Sequence, residues 1–340
     1  MTKGKKKNTT IRDVAKKAGV SVASVSRYIN QNAPLSTSIS IKIQAAMTEL
    51  NFVPHIMARR LATNKTNTIG LLVADLYGDF FPPMFHGIES VTGEAGFDLL
   101  ISSSARTGPR TEFPSSLGPH NTDGMLVFWD SLSEAGLHQA YERDFPIVLI
   151  HQSPPDKMSI PCVTVENKAA SRRIVEHLME AHGRRRIVFL RGPDHNEDSY
   201  WRETGYRQAL EMRGIPFDAE LVAPGEFDRA VAEQSIRNLL SRGIVFDAVF
   251  ACDDESAAGV YSALYAAGRT IPNDVAVVGF DDQRFSAYIN PPLTTVRAHT
   301  EDVGRIAARQ LLQIIHDGTA DSLTLVPTEI VFRQSCGCNP

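Results

Sequence analysis

The chain has 340 residues, 43% of them apolar and 22% charged, with a net charge of −4 at pH 7. That length holds more than one domain and ample core. It contains no apolar run long enough to span a bilayer, and its basic N-terminus lacks the apolar stretch of a signal peptide, so the expected compartment is the cytoplasm. The charge is unevenly divided. Residues 1–66 carry twelve Lys and Arg against Asp13 and Glu49, a net of +10 that leaves −14 on the rest. A basic headpiece on an acidic body is the footprint of a DNA-binding module joined to something else. The run Lys3 to Lys7 alone reads only as a solvated tip.

Thr10 to Asn30 read TIRDVAKKAGVSVASVSRYIN. Ile11, Val14, Ala15 and Ala18 fall at helical spacing, and Gly19 supplies the backbone freedom of a tight turn. Ser21 is placed to cap a second helix, on which Val22, Val25 and Ile29 recur. Ala23, Ser24, Arg27 and Asn30 lie opposite and suit base edges and phosphates. The spacing predicts a helix-turn-helix with the second helix as reader; an ordinary αα-hairpin is the alternative, and the local charge argues against it. Ser36 to Asn51 is amphipathic through Ile39, Ile43, Ala46, Met47 and Leu50 and predicts a third helix. Pro54 ends that element. Residues 55–62, with Ile56, Ala58 and Leu61, are too few to hold a helix alone in water, so this segment is expected to fold only against a partner surface. Thr63 to Thr68 is polar linker.

From Ile69 strands and helices alternate. Strands are predicted at 69–74, 98–102, 124–128, 146–150, 162–165, 186–190, 247–251 and 274–280, with a further strand at 328–332. Helices are predicted at 82–95, 134–143, 168–182, 199–213, 229–242, 254–267 and 300–316. Short Val/Ile/Leu strands between amphipathic helices mean parallel sheets covered on both faces, and two such units make a bilobed α/β receptor. Residues 105–122, with Pro109, Pro114, Gly118 and Pro119, are poorly helical.

Ligands bind such folds outside the carboxyl ends of the strands. There the sequence places Phe80 and Phe81, Trp129 and Asp130, His151 and Gln152, then Asn196, Asp198 and Arg202. Phe227, Asp253 with Asp254, and Asp281 with Asp282 follow. Carboxylates, an Arg, an amide and aromatic faces together suit a hydroxyl-rich ring. Singly each has a plainer reading: an Asp such as Asp253 or Asp254 caps a helix, and an aromatic fills a core.

No catalytic set is evident: there is no GxGxxG after the first strand, no P-loop and no GxSxG. The neighbours Asp253/Asp254 and Asp281/Asp282 are expected to diverge, which argues against glycosidase chemistry. Cys162 and Cys252 lie in apolar runs and read as core. Cys336-Gly-Cys338 would need metal ligands from elsewhere, no Cys/His spacing marks a zinc site, and His182 reads as a helix-end residue; no metal or cofactor is expected.

The pattern DVAKKAGVS-x-x-SVSR-x-IN, its distance from ELNFVPHIMARRLA, and the weaker matches IGLLVAD, DGMLV, GRRRIVFLRGP, VFACDDESAAG, VVGFDD and PPLTTV resemble the lactose-repressor/galactose-repressor (LacI/GalR) family over nearly the whole chain. The resemblance implies a reader helix in the major groove, with Val22 and Ala23 at the base-reading positions and Ser21, Ser24 and Arg27 on phosphates or adjacent bases. It implies a hinge helix that pairs with its dimer mate and inserts Leu61, beside Ala58, into the minor groove. The DNA-binding set is then Thr10, Ser21, Val22, Ala23, Ser24, Ser26, Arg27, Asn30, His55, Ala58 and Leu61. The effector-binding set is Phe80, Phe81, Trp129, His151, Asn196, Asp198, Arg202, Phe227, Asp253 and Asp281. Three departures stand out. Ile39 and Ser40 replace a usual Thr-Arg, His151 stands where many members place an aspartate, and Pro114 and Gly118 break the second receptor helix. The Leu-heptad tail of a tetrameric repressor is absent after residues 328–332.

The expected organisation is a headpiece (1–54), a hinge and linker (55–68) and a bilobed effector and dimerisation domain (69–340). Its N-lobe takes 69–164 and 296–326 and its C-lobe 165–292 and 327–340. The expected function is a homodimeric repressor of carbohydrate-utilisation genes. It binds a pseudo-palindromic double-stranded DNA operator under control of a small effector, a sugar, with no membrane partner. One alternative keeps the class with a purine or nucleoside effector. Another is an α/β sugar-binding protein or enzyme whose basic N-terminus is incidental.

Overall fold

The computed structural model describes residues 9–30, 34–52, 65–74, 76, 78–104 and 116–339. The chain divides into two compact units, residues 1–66 and 67–340. The hinge positions His55, Ala58 and Leu61, and Pro114, lie outside the described residues.

The first unit is a three-helix headpiece of α1 (Ile11–Ala18), α2 (Val22–Asn30) and α3 (Thr37–Glu49). Asp13 Oδ2 accepts from both the backbone N–H and the hydroxyl of Thr10, tying the start of α1. Gly19 ends α1 at φ 66°, in the left-handed region the turn requires. Ser21 Oγ accepts from the Ser24 N–H, one of the donors left open at the start of α2. Val14, Val25 and Ile43 are fully buried, and each such side chain contributes roughly 1.5–3 kcal/mol. Ile11, Ile29, Ile39, Met47 and Leu50 pack around them.

The second unit holds two six-stranded sheets. The N-lobe sheet comprises β1 (Thr68–Val73), β2 (Asp98–Ser103), β3 (Gly124–Phe128), β4 (Ile147–Ile150), β5 (Cys162–Val165) and β11 (Leu323–Val326). Its spatial order is β2-β1-β3-β4-β5-β11, all parallel. The C-lobe sheet comprises β6 (Ile187–Arg191), β7 (Val222–Pro224), β8 (Ala248–Ala251), β9 (Ala276–Asp281), β10 (Thr294–Arg297) and β12 (Glu329–Val331). It runs β7-β6-β8-β9-β10-β12, parallel except for the final antiparallel pair. In both sheets the order reverses at the first strand of the lobe, a topological switch point.

The helices cover these sheets: α4 (Phe81–Glu94), α5 (Glu134–Tyr141), α6 (Asn167–Glu180), α7 (Glu197–Met212), α8 (Arg229–Ser241), α9 (Asp254–Ala266) and α10 (Thr300–Asp317). The lobe boundary differs from expectation at one crossing. β10 pairs with β9 through Arg297, so the C-lobe segment extends past 292 and the chain returns to the N-lobe with α10, which packs on α4. Leu293, Thr294, Thr295 and Val296 are fully buried, and their Val/Thr run is what a covered strand demands. Cys162 and Cys252 are core, as expected; burial pushes both thiols up to about 12. Among the described residues no helix is long and apolar enough to cross a membrane.

Candidate functional site

On the headpiece, Ser21, Val22, Ala23 and Arg27 are exposed at the start and outer face of α2. Val22 is 43% exposed, so it does not share the core face of Val25 and Ile29 that its spacing implied. Ser24 and Ser26 are half-buried, and Thr10 is exposed at the start of α1. The surface that α2 presents is small, polar and cationic, with one apolar contact point. Such a surface fits base edges and thymine methyls.

In the second unit ten of the fourteen residues expected at the strand ends line one cavity of about 610 Å³: Phe80, Phe81, Trp129, His151, Asn196, Asp198, Arg202, Phe227, Asp253 and Asp281; Asp130, Gln152, Asp254 and Asp282 do not. The switch points explain the convergence. Phe80 and Phe81 follow β1, Trp129 follows β3, Asn196 follows β6 and Asp253 follows β8. Asp79, Glu226, Asp228, Arg229, Glu255 and Gln283 also line the cavity and were missed. Their signal was present, since each lies within six residues of a strand end or just inside the next helix.

The N-lobe wall is aromatic. Phe128 meets Phe81 edge-on at 5.2 Å and Phe80 at 5.9 Å, and His151 lies 5.6 Å from Phe128. The C-lobe wall is charged and organised around Arg202, which is 3% exposed. Its Nε donates to Asn167 Oδ1 (2.8 Å) and its Nη1 to the Cys252 carbonyl (2.6 Å). Nη2 stands 3.5 Å from Asp281 Oδ1 and 3.8 Å from Asp198 Oδ2. The guanidinium lies over the Phe280 ring at 3.7 Å, with Phe227 at 6.0 Å on the cavity side.

Asp198 holds the two lobes together. Its Oδ2 lies 2.7 Å from His151 Nδ1, and its Oδ1 accepts from Asn167 Nδ2 (2.7 Å) and Thr164 Oγ1 (3.1 Å). Burial pushes this carboxyl up. The His151 and Arg202 charges and the bonds from His151 and Thr164 outweigh burial and hold it below the ordinary range. An ionised Asp198 can only accept, so His151 donates to it from Nδ1. Ser153 adds a second link, its N–H and hydroxyl donating to Glu197.

Two of the expected ligand groups have structural duties as well. Asn196 Oδ1 caps α7 through the Ser199 N–H, and Asp253 caps α9 through Glu255 and Ser256. Burial and the neighbouring Asp281 push Asp253 up to about 7, against its bonds from Ser256 and the Arg202 charge. The adjacent carboxylates diverge as expected. Asp254 turns inward to Gln283 N, Ser286 Oγ and Thr295 Oγ1, while Asp282 pairs with Arg297 and Arg333.

Three side-chain atoms of cavity-lining residues are buried without a hydrogen-bond partner among the described residues: His151 Nε2, Gln283 Oε1 and Asp281 Oδ1, the last ion-paired with Arg202. The backbone is strained at the same place. His151, Glu226, Phe227 and Asp281 all have positive φ, Asp281 at 103°. Such conformations cost about 1–3 kcal/mol each and cluster where a ligand is held.

A basic helix-turn-helix unit followed by two switch-point sheets around a buried polar cleft defines a class: DNA-binding regulators with a ligand-binding receptor domain. The model for bacterial regulatory proteins of the lacI family matches residues 10–55, and that for the periplasmic binding protein-like domain matches 175–336. The ribose operon repressor of Escherichia coli (strain K12) is 30% identical over 328 residues, 96% of this chain and 98% of that protein. The transcriptional regulator CelR of Thermobifida fusca is 31% identical over 345 residues, 97% and 99% of the two chains. Among solved structures, the lac repressor dimer bound to operator and the anti-inducer ONPF superposes with a TM-score of 0.83 at 25% identity, covering 97% of this chain and 99% of that one. A CelR–cellobiose complex superposes at 0.71 and 29% identity, with 96% and 100% covered. The chain belongs to the LacI/GalR family of DNA-binding transcriptional regulators.

Proposed function

We propose that the cleft binds a neutral sugar and that this binding controls the grip of the headpiece on its operator. In this reading the protein is a cytoplasmic, homodimeric, non-enzymatic repressor of carbohydrate-utilisation genes, acting on a pseudo-palindromic site. The observation that carries the ligand class is the cavity lining: the carboxylates of Asp79, Glu226, Asp253 and Asp281, the amides of Asn196 and Gln283 and the Arg202 guanidinium stand together, a set that hydrogen-bonds a hydroxyl-rich ring. Phe227 and the Phe80/Phe81/Phe128 cluster offer apolar faces for the ring. An anionic ligand is disfavoured. Asp79, Glu226, Asp228, Asp253, Glu255 and Asp281 line the cavity against Arg202 and Arg229, and Arg202 is already engaged by Asp281 and Asp198. The ribose operon repressor and the CelR–cellobiose complex, named for a pentose and a disaccharide, support the same class.

The effector couples to DNA through one two-state element. A ligand bridging the lobes stabilises one lobe arrangement, which favours or disfavours the folded hinge at residues 55–62. Isothermal calorimetry with neutral mono- and disaccharides, sugar phosphates and purines tests the ligand class. One neutral sugar is expected to bind with a single site per chain. Binding by a purine alone, or by sugar phosphates in preference to their parent sugars, would overturn it.

A further inference from the structure

Outside the lining of the cleft, four side chains with metal-ligating atoms meet at one point. His177 sits in the last turns of α6, His182 in the turn that follows it, and Cys336 and Cys338 in the tail after β12. The histidines and cysteines are more than 150 positions apart in sequence. His177 Nε2 and His182 Nε2 are 3.2 Å apart. Cys338 Sγ lies 3.4 Å from His177 Nε2 and 3.5 Å from His182 Nε2, and Cys336 Sγ lies 3.6 Å from His177 Nε2. All four ligand atoms fall within 4.8 Å of one another.

We propose that this cluster is a structural zinc site that staples the C-terminal tail to the end of α6. Tetrahedral zinc holds nitrogen at about 2.0–2.1 Å and thiolate sulfur at about 2.3 Å. Those bonds place nitrogens about 3.3 Å apart and nitrogen and sulfur about 3.6 Å apart at the corners of the tetrahedron. The four observed separations match within a few tenths of an ångström. The donor set of two imidazoles and two thiolates selects a borderline-soft ion and excludes magnesium and calcium, which take oxygen. With four protein ligands the site is closed, so it holds structure and offers no open position for catalysis.

The surroundings are built for this arrangement. Gly337, between the two cysteines, has φ 110°, and a Cβ there would sit 2.9 Å from His182 Nδ1. Only glycine lets the tail turn both sulfurs inward beneath that ring. Thr294 Oγ1 donates to Cys336 Sγ (3.1 Å), and the Phe332 ring covers His177 at 4.4 Å. On binding, each thiol loses its proton to solvent, and two thiolates balance the ion's charge. α6 starts at Asn167, which bonds Arg202 and Asp198, so the staple fixes the far end of a helix that frames the cleft.

Cobalt substitution of the full chain tests the site. The protein is reduced with a phosphine, stripped with a chelator and titrated with Co²⁺. One equivalent per chain is expected to give the intense visible bands of tetrahedral cobalt with thiolate-to-cobalt charge transfer, and one equivalent of Zn²⁺ should abolish both. Cys338→Ser and His182→Gln alter half-buried surface positions and should keep the native circular dichroism while losing the signal. Zn²⁺ should raise the Tm of the wild type and leave both variants unmoved. The proposal is overturned if folded, reduced wild type gives no tetrahedral cobalt spectrum, if the variants give the same spectrum, or if the wild type only forms a Cys336–Cys338 disulfide and takes up no metal after reduction.

Discussion

His151, at the end of β4 in one lobe, places Nδ1 2.7 Å from Oδ2 of Asp198, in α7 of the other lobe. One side-chain pair therefore latches the lobes and fixes the His151 ring in the cavity wall. Asp198 also receives Thr164 and Asn167 and faces Arg202, so four groups depend on its charge. Asp198→Asn removes that charge while keeping the size. Leaving buried partners uncompensated costs about 3 kcal/mol, to be read as a lower urea midpoint of the receptor unit. The wild-type carboxyl is held below its ordinary value of 3.8, so its contribution is present above that pH and is lost as pH falls below it. The variant should lose this acid limb. An unchanged midpoint at neutral pH would show that the latch carries no weight.

Asp253 has the opposite sign. Its folded value, about 7, lies above the ordinary 3.8, so its contribution is full below pH 3.8 and is lost as pH rises through 7. Asn is an equally good N-cap, so Asp253→Asn keeps the start of α9 and removes a buried charge beside Asp281. The variant should lose less stability than wild type between pH 5 and 8 and match or exceed it at pH 8, by an amount on the order of 1 kcal/mol or more. Thermal melts across that range decide it; parallel pH profiles would contradict the assignment.

Arg27→Ala should weaken DNA binding by roughly 1–3 kcal/mol if the side chain reaches a base, and should lower the slope of log K against log salt by about one if it reaches a phosphate. Val22 and Ala23 variants should change which bases are preferred, with little change in that slope. Anisotropy titrations at several salt concentrations separate these outcomes, and a salt-independent affinity would contradict the headpiece assignment.

Much of the receptor was legible because strand ends are legible. The rule that ligands sit beyond the carboxyl ends of parallel strands led to fourteen residues, and ten of them line one cavity; Asp254 and Asp282 turn instead to partners in the C-lobe. Glu226, Asp228 and Gln283 lie as near to strand ends as the residues named, and only the conformation of each loop, such as the positive φ of Glu226, shows which side chains line the cavity. β10 escaped as part of the C-lobe because its Val/Thr run would fit either sheet. Only its pairing with β9 and β12 assigns it. The convergence of His177, His182, Cys336 and Cys338 was not legible at all. It arises from β12 running antiparallel to β10 and returning the tail to α6, a topological fact that spacing does not encode. Spacing alone put Val22 on the face of Val25 and Ile29, whereas the family resemblance put it at a base-reading position, and its exposure agrees with the latter.

The hinge makes a separate prediction. Leu61→Ala should cut affinity for a selected operator far more than for random duplex, because an inserted apolar wedge acts only where DNA kinks. Equal losses on both duplexes, in filter binding or anisotropy, would contradict a minor-groove role.

The central claim is that a ligand in the cleft sets the affinity of the headpiece for DNA. The most direct measurement is anisotropy of an operator selected from a random duplex pool, titrated with wild type and Asp281→Asn, with and without the sugar found by calorimetry. The substitution keeps size and suits the positive φ, while it removes a charged acceptor worth about 1.5–3 kcal/mol to a ligand hydroxyl. The account predicts that the sugar shifts wild-type operator Kd by about 5- to 150-fold. It predicts that Asp281→Asn binds operator with unchanged Kd in the absence of sugar and needs at least tenfold more sugar for the same shift. A sugar that binds in calorimetry yet leaves the operator Kd untouched, or an Asp281→Asn protein with wild-type sugar response, would contradict it.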